Sequence, residues 1–400
     1  MTAVAHTGRL ETTSSGHSRS RWWTSHELSG KPQCAPMKSG NAEFDAAPEV
    51  VVNTPPQAKR PYLWEQRAME ISPEHFLNEL LGYQKTAALK AAIELDLFSA
   101  LAAAGGDLGQ VSERTGASER GIRILCDYLT VKGFLEKDNG RHRLTPSSQT
   151  FLTRASPAYI GGIIDFLASP ELIGLWLTEP SSFVRKGGSV GLANLSPDNP
   201  VWIKFARAMV PFVAPTAGMI SNEIAAWSTQ PRRLLDIAAG HGLFGISAAQ
   251  AIPSLEVTAI DWPAVLTVAH ENASAAGVAQ RYRTIGGSAF DVDWGEDYDI
   301  VLLTNFLHHF DRDTCIDLLA RARRALAIGG RVLALEFVPN DDRVTPPIPA
   351  MFAYMMLGST PSGDAYTASD FENMGRQAGF TRTRFKTAEP SPETLVWFED

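Results

Sequence analysis

The chain lacks several features that would place it in a membrane or in an oxidising compartment. It has only three cysteines in 400 residues, Cys34, Cys126 and Cys315, and none of them forms a C-x-x-C pair. We therefore expect neither a disulfide framework nor a zinc site, and no other metal. It also lacks a run of about 18 apolar residues, the length that a transmembrane helix needs. Because its N-terminus has no continuous apolar core of the secretory type, we expect a cytoplasmic protein.

Positive charge is not in excess either. Lys and Arg number 36 against 44 Asp and Glu, which gives a formal net charge of −8. This balance argues against a protein whose main task is to coat nucleic acid or an anionic membrane, and we expect neither as a partner. Hydrophobic residues make up 44% of the chain, enough for a sizeable core in roughly two or three domains.

The first part of the chain has little periodicity. Residues 1–65 are rich in Ser, Thr, Gly and Pro, so we interpret them as a disordered tail. A transit peptide is the weaker alternative, because no clean amphipathic segment accompanies the Arg and Ser residues. From about residue 70 the pattern turns helical, and the Ala- and Leu-rich stretch 86–106 stops at a glycine pair that predicts a helix end.

Residues 107–145 predict a helix-turn-helix with a wing. A short helix, a turn at Thr115-Gly116 and a second helix capped by Ser118 precede two short strands around Asn139-Gly140. Such a unit raises the hypothesis of DNA binding. The segment carries seven Lys/Arg against six Asp/Glu, whereas a surface that follows phosphates is more one-sided. We therefore favour a structural or dimerisation role.

From about residue 232 the chain alternates strands with amphipathic helices, which indicates a mostly parallel sheet covered on both faces. The helix predicted over 313–330 has apolar residues along one face and an end at Gly329-Gly330. The predicted strands lie near 233–238, 255–260, 281–285, 299–304, 331–337, 381–387 and 394–399.

A glycine-rich loop follows the first of these strands in 232-RRLLDIAAGHGLFGISAAQ-250. Its G-x-G-x-x-G pattern over 240–245 suits an adenosine-bearing cofactor, and Asp261 ends the next strand, where an acid binds ribose hydroxyls. Both features fit NAD and S-adenosylmethionine. Asp236, four residues before Gly240, favours S-adenosylmethionine, because an acid suits its cationic amino-acid end and would repel a pyrophosphate.

These motifs resemble the class I S-adenosylmethionine-dependent methyltransferases, and among them the O-methyltransferases related to plant caffeate and hydroxyindole enzymes. The string 236-DIAAGHG-242 resembles their first motif, D-x-G-G-G-x-G, with Ala238 and Ala239 in place of two glycines. Asp261 matches the ribose-binding acid, and 286-GGSAFDVDW-294 resembles the stretch near the adenine, although Ser288 stands where an acid is usual.

The resemblance covers about residues 75–400 and implies two domains. An all-helical and winged-helix dimerisation domain would occupy 66–190, and a Rossmann-like, seven-stranded α/β methyltransferase domain would occupy 191–400. It also implies a homodimer formed through the N-terminal domain, with S-adenosylmethionine as the cofactor.

The chemistry points to a histidine. A phenol of pKa about 10 reacts more readily when a base of pKa near 6.5 removes its proton. In 299-DIVLLTNFLHHFDRDTC-315, His308 matches the family's catalytic base, and His309 remains the alternative. Glu336 matches the glutamate that orients the base, whereas the second orienting acid aligns with Ala365, so the adjacent Asp364 is the candidate substitute.

Further residues complete the predicted site. His241, inside the glycine loop, is interpreted as a permissive position. The apolar faces of 200–227 and of a later Met-rich stretch supply candidate pocket residues that are equally consistent with core packing. The cofactor candidates are Asp236, Gly240, Gly242, Asp261, Ser288, Ala289, Phe290 and Thr304, and the pocket candidates are Phe205, Met209, Met351, Met355 and Met356.

The resemblance thus implies methyl transfer to a hydroxyl of a small aromatic or polyketide-like metabolite. Three other interpretations stay open. The chain could be a methyltransferase-like enzyme that performs hydroxylation, decarboxylation, or C- or N-methylation. It could also be a winged-helix regulator with a methyltransferase-like ligand sensor, and a nicotinamide oxidoreductase is the most distant alternative.

Overall fold

A computed structural model describes residues 72–190 and 200–400 of the chain. The predicted tail over 1–65 lies outside the described residues, as does the start of the second predicted domain at 191, so the domain boundaries stay predictions. Within the described ranges, none of the helices has both the length and the apolar character needed to cross a membrane.

The N-terminal part is mainly helical, and the predicted helix-turn-helix with a wing is confirmed. Ser118 caps the second helix by accepting a hydrogen bond from the Gly121 N–H (3.1 Å), and the two wing strands pair antiparallel. The elements are α1 (Glu74–Leu80), α2 (Gly82–Glu94), α3 (Leu97–Ala104), α4 (Leu108–Thr115), α5 (Glu119–Val131), β1 (Leu135–Asp138), β2 (Arg141–Leu144) and α6 (Pro146–Phe151).

The Ala- and Leu-rich stretch 86–106 forms two helices rather than one. Its predicted end at the glycine pair is confirmed, since α3 stops at Ala104 and Gly105 takes φ 57°. The interruption was not predicted: Asp96 adopts φ 50°, a left-handed conformation that separates α2 from α3.

Four further helices lead to the sheet. They are α7 (Ile164–Leu167), α8 (Pro170–Leu177), α9 (Pro180–Lys186) and the long α10 (Pro200–Ala225). The helix expected over 200–227 is therefore present, with two prolines in its interior.

The C-terminal part is built on a seven-stranded sheet of order β5-β4-β3-β6-β7-β9-β8, and all seven predicted strands are present. The first five are parallel, while β9 runs antiparallel to β7 and β8. The strands are β3 (Arg233–Ile237), β4 (Glu256–Asp261), β5 (Tyr282–Gly286), β6 (Tyr298–Thr304), β7 (Leu326–Glu336), β8 (Arg382–Thr387) and β9 (Thr394–Glu399). The helices between them are α11 (Leu243–Ala251), α12 (Pro263–Ala275), α13 (Arg312–Ala325), α14 (Pro347–Ser359) and α15 (Ala368–Gln377).

The end predicted for α13 at Gly329-Gly330 is wrong. The helix stops at Ala325, and both glycines lie inside β7. A Cβ at Gly330 would lie 2.8 Å from the Tyr298 carbonyl oxygen of the neighbouring strand. The glycine therefore permits a close approach of two strands instead of ending a helix.

Alternate residues of the central strands enter two different cores, which is why the strands are almost wholly apolar. Along β3, Leu234 packs with α10, α11 and α12, whereas Leu235 packs with α13 and α15 on the other face. The sheet is thereby fixed between two layers of helices. The carboxyl ends of β3 to β7 lie along one edge, with the strand order reversing between β3 and β6.

Candidate active site

The glycine loop connects β3 to α11 in a left-handed conformation. Ala238, Gly240 and Gly242 take φ values of 54°, 58° and 77°. A Cβ at Gly242 would lie 2.5 Å from the Tyr282 hydroxyl, so position 242 requires glycine for space as well as for conformation. At Gly245 a Cβ would lie 2.8 Å from Val257 Cγ1, so this glycine serves the packing of α11 on the sheet.

Asp261, at the end of β4, holds the loop from the side. Its Oδ2 accepts a hydrogen bond from the Gly240 N–H (2.7 Å), and its Oδ1 accepts one from the Trp262 N–H (2.6 Å). Burial raises the pKa of Asp261, and these two N–H groups oppose the shift. A carboxylate can accept about four hydrogen bonds, so acceptor positions remain for a ligand.

Asp236 lies beneath the loop and is fully buried. Its Oδ2 accepts a hydrogen bond from the Gly245 N–H (3.3 Å), whereas Oδ1 has no hydrogen-bond partner among the described residues. Burial raises the pKa of Asp236 to about 7. A buried oxygen without a donor is costly, and a cationic group would satisfy it.

His241 is not the permissive position that the sequence predicts. Its side chain is buried, its Nδ1 accepts a hydrogen bond from the Leu243 N–H (3.1 Å), and its carbonyl accepts one from Asn272 Nδ2 (2.8 Å). Burial lowers the pKa of His241 to about 4, so the ring stays neutral and serves as a cap for the first turn of α11.

The segment after β5 lines the same edge. Ser288 Oγ accepts a hydrogen bond from the Phe290 N–H (3.1 Å), and the Ala289 carbonyl accepts one from Arg321 Nη1 (2.9 Å). The exposed Phe290 ring meets the Phe310 ring edge-on at 5.2 Å between centroids. These contacts fix the backbone of the predicted adenine-proximal stretch, and Phe290 itself stays 47% exposed.

Glu336, at the end of β7, organises the turn that follows β6. Its Oε1 accepts hydrogen bonds from two consecutive backbone groups, the N–H of Phe306 (3.0 Å) and that of Leu307 (2.8 Å). Its Oε2 lies 2.5 Å from His308 Nδ1. The glutamate is 1% exposed and His308 is 5% exposed, so the pair is shielded from water.

This contact fixes the tautomer of His308. Because a carboxylate is only an acceptor, Nδ1 must carry the proton, and the lone pair of the neutral imidazole then lies on Nε2. His309, the alternative base, has its ring 4.4 Å from that of His308. In the described part of the chain, no carboxylate hydrogen-bonds to the His309 ring. Burial and the neighbouring His308 hold the pKa of His309 well below its usual range.

The carboxylate of Asp364 does not reach the imidazole of His308. One oxygen accepts a hydrogen bond from the Ala365 N–H (2.8 Å), and the other lies 3.3 Å from Arg343 Nη1. Asp364 instead contacts His308 through its backbone, since the Asp364 N–H donates to the His308 carbonyl (3.1 Å).

Comparisons with known proteins identify the family. The O-methyltransferase domain model matches residues 217–381, and the O-methyltransferase dimerisation domain model matches residues 77–154. A 3-hydroxy-5-methyl-1-naphthoate 3-O-methyltransferase of Streptomyces sahachiroi is 30% identical over 79% of this chain and 92% of its own. The chain belongs to the O-methyltransferase family.

Two further relatives support this family assignment. A tetracenomycin polyketide synthesis 8-O-methyl transferase of Streptomyces glaucescens is 29% identical over 81% of this chain and 96% of its own. The crystal structure of a candidate O-methyltransferase from Nostoc punctiforme is 43% identical, with a TM-score of 0.78, and covers 83% of this chain and all of its own. The resemblance, fold class and enzyme class predicted from the sequence are confirmed, and S-adenosylmethionine is the cofactor.

The residues of this methyltransferase fit that cofactor. Among the described residues, the Oδ1 atom of Asp236 has no donor, and Asp261 keeps acceptor positions at the end of β4. Thr304 is buried at the end of β6, between the glycine loop and Glu336 in the strand order. These acceptor groups therefore suit a ligand with a cationic group at one point and hydroxyls at another.

The methyltransferase's predicted pocket residues divide between core and surface. Met209 is half-buried against the core around α11, and Met356 is buried. Met351 and Met355 are exposed on α14. Phe205 is partly exposed on α10, with its ring 4.9 Å from that of Phe166.

Sequence reasoning missed two aromatic residues beside the histidine. The Phe352 ring of α14 meets the His308 ring edge-on at 4.8 Å, and it stacks on the Phe337 ring at 4.0 Å. Phe337 directly follows Glu336, so its position at the end of a strand was the available signal. An aromatic wall therefore borders His308 in this methyltransferase.

The chain also packs tightly against the backbone of His308. A Cβ at Gly363 would lie 2.1 Å from the His308 carbonyl oxygen. On the other side, the Cys315 thiol donates to the Leu307 carbonyl (3.2 Å). The turn that carries His308 is thus held by Glu336, by α13 and by the 360–364 segment.

Proposed function

We propose that this methyltransferase moves a methyl group to a hydroxyl of a small aromatic or polyketide-like molecule, with His308 as the general base. The observation that carries the proposal is the 2.5 Å contact between His308 Nδ1 and Glu336 Oε2 in a buried site. It leaves the Nε2 lone pair for an incoming hydroxyl. When bound, S-adenosylmethionine supplies an electrophilic methyl group.

The protein's own part in the reaction is to orient the acceptor and take its proton. Methyl transfer from a sulfonium is an in-line displacement, so alignment of the acceptor oxygen contributes much of the rate. His308 Nε2 accepts the hydroxyl proton as the oxygen becomes nucleophilic. The buried Glu336 carboxylate stabilises the imidazolium that forms, in surroundings where a charge pair is stronger than in water.

The aromatic class of acceptor is supported by the wall beside the base. Phe352 and Phe337 present ring surface next to His308, and aromatic pairs favour stacked or edge-to-face contact with a planar acceptor. The names of two relatives agree with this class, since one describes O-methylation of a hydroxynaphthoate and the other O-methyl transfer in tetracenomycin polyketide synthesis. We include Phe205, Met209, Met351 and Met355 as further pocket candidates.

We also propose which residues hold the cofactor and how the chain associates. Asp236 would meet the cationic amino group, Asp261 the ribose hydroxyls and Phe290 the adenine, with Gly240, Gly242, Ser288, Ala289 and Thr304 as bordering residues. The homodimer would form through the N-terminal domain, since Phe76, Leu80 and Tyr83 expose apolar rings and side chains there.

The experiment is a comparison of histidine variants with methyl-labelled S-adenosylmethionine and a panel of phenolic acceptors. We expect His308→Ala to lower kcat by about 10²–10⁴-fold while cofactor affinity stays near that of the wild type. Asp261→Ala should instead weaken cofactor binding. Full activity in His308→Ala, with loss in His309→Ala, would move the base to His309. Turnover of an acceptor without transfer of label would contradict methylation itself.

A further inference from the structure

A third acidic side chain, Glu393, is buried beside the pair formed by His308 and Glu336. It directly precedes β9, the strand that returns antiparallel along β7 and brings Thr394 opposite Glu336. Glu393 is only 9% exposed. The proposed function gives it no part, although a buried carboxyl is costly and is rarely retained without a partner.

The surroundings of Glu393 connect it to the turn that carries the base. Ser391 Oγ donates a hydrogen bond to Glu393 Oε2 (2.6 Å). The side chain of Asn305 also lies against the carboxyl, and both contacts lower its pKa. Asn305 directly follows β6 and precedes Phe306 and Leu307, whose N–H groups donate hydrogen bonds to Glu336.

The charged groups that act on Glu393 belong to the proposed catalytic pair. Burial raises the pKa of Glu393 most, Glu336 at the end of β7 raises it further, and His308 in the turn after β6 lowers it. Two buried carboxyls therefore lie on neighbouring strand ends, Glu336 at the end of β7 and Glu393 directly before the residue that pairs with it.

Asn305 has an unusual backbone that a side-chain partner helps to hold. Its φ is 53°, in the left-handed region that non-glycine residues seldom occupy, and its N–H donates to the Leu335 carbonyl (2.8 Å). This conformation turns the chain so that Phe306 and Leu307 present their N–H groups to Glu336. A carboxyl that binds the Asn305 side chain stabilises this turn.

We propose that Glu393 is a positioning residue of the base, an inference that rests on the proposed function. It holds Asn305, and it adds a second negative charge that stabilises His308 once the imidazole has taken the acceptor's proton. In this chain the residue directly before β9 would thereby supply the second acid, since the residue at the position where the resemblance puts one is the buried Ala365.

The proposal fixes the direction of a pH effect. A negative charge beside an imidazole favours its protonated form, so removing that charge makes the base active at lower pH but weaker. Glu393→Gln keeps the size and hydrogen-bonding capacity of the side chain and removes only the charge. We expect the acidic limb of the kcat/KM profile to move about one unit to lower pH and kcat on the plateau to fall about tenfold.

The experiment measures kcat, KM and the pH profile of Glu393→Gln between pH 5 and pH 10, beside wild type, His308→Ala and the control Glu389→Gln. Glu389 is exposed four residues earlier, so its variant should match the wild type. The acceptor KM and the cofactor Kd should change little in Glu393→Gln. A second variant, Asn305→Gly, keeps the left-handed turn without strain and removes the amide; it should lower kcat without moving the limb.

The outcomes separate the two proposals. If Glu393→Gln keeps the wild-type kcat and profile while His308→Ala is inactive, the role of Glu393 is overturned and the proposed base stands. If His308→Ala is active, the proposed function itself fails. If Glu393→Gln does not fold, Glu393→Asp decides: a reduced kcat with an unmoved limb supports the inference, and a wild-type kcat overturns it.

Discussion

Replacement of Glu336 by glutamine tests the link between the turn and the base most directly. Oε1 accepts hydrogen bonds from the N–H groups of Phe306 and Leu307, and Oε2 accepts one from His308. A glutamine must turn its carbonyl oxygen toward the two N–H groups, because its NH₂ would meet two donors there. The NH₂ group then faces His308 Nδ1, which must become an acceptor. The neutral imidazole would carry its proton on Nε2, where the proposed base needs a lone pair.

The size of the effect follows from these contacts. Loss of a correctly placed base costs about 10²–10⁴-fold in kcat. A hydrogen bond to a charged group contributes about 1 kcal/mol more than one between neutral groups, so two bonds to Oε1 weaken by about 2 kcal/mol together. In a chain of this length each kcal/mol lowers Tm by about 1–2 °C. Glu336→Gln should therefore be folded, slightly less stable and nearly inactive.

A matched control lies at the other end of the strands, where their amino termini meet. Asp299, near the start of β6, also accepts hydrogen bonds from two consecutive backbone groups, the N–H of Arg232 (2.7 Å) and that of Arg233 (2.9 Å). Asp299→Asn should lower Tm by a similar amount and leave kcat unchanged. The measurements are thermal unfolding, cofactor titration and initial rates with labelled cofactor. Wild-type kcat in Glu336→Gln, or an equal loss of kcat in both variants, would refute the reasoning.

Three other predictions use the same assays. Asp364→Asn should change kcat less than about fivefold, because exposed ion pairs contribute only about 0–1 kcal/mol; a loss as large as that of His308→Ala would make Asp364 a member of the site after all. Gly363→Ala places a Cβ 2.1 Å from the His308 carbonyl oxygen, so kcat should fall about 10²-fold even if the acceptor still binds. An unchanged kcat would show that the 360–364 segment moves enough to accommodate the methyl group. Burial raises the pKa of Asp236 from 3.8 to about 7, so the folded state prefers the protonated acid, and stability should fall as pH rises from about 4 to 7. Asp236→Asn should remove that fall in Tm measured against pH, and an equal slope in the variant would contradict the assignment.

Much of the fold was predictable because its signals are local. Alternation of apolar strands and amphipathic helices indicated all seven strands, and parallel strands necessarily bring their carboxyl ends to one edge. Asp261, His308 and Glu336 were therefore expected together there. The errors arose where one local signal has two causes. Inside β7, Gly330 allows a close strand approach and Gly329 takes φ 77°, although a glycine pair also ends many helices.

Contacts between distant segments were harder to predict. The resemblance suggested Asp364 as a substitute for the lost acid, but its carboxylate lies against Arg343 and the Ala365 N–H. Glu393 gives no local signal, because its position depends on β9 returning between β7 and β8. Phe352 resembles any apolar residue of a helix until α14 is packed against the histidine.

The arrangement around Glu336 explains why an acid is needed at this strand end rather than a neutral polar residue. A turn that leaves β6 with a left-handed residue exposes two N–H groups to a buried space, and a carboxylate satisfies both with one oxygen. Its second oxygen then has to meet a donor, and His308 Nδ1 is the group within reach. The requirement to satisfy the backbone and the requirement to fix the imidazole tautomer are therefore met by the same side chain. A variant that restored only the backbone contacts would fold and still lack the Nε2 lone pair of the proposed base.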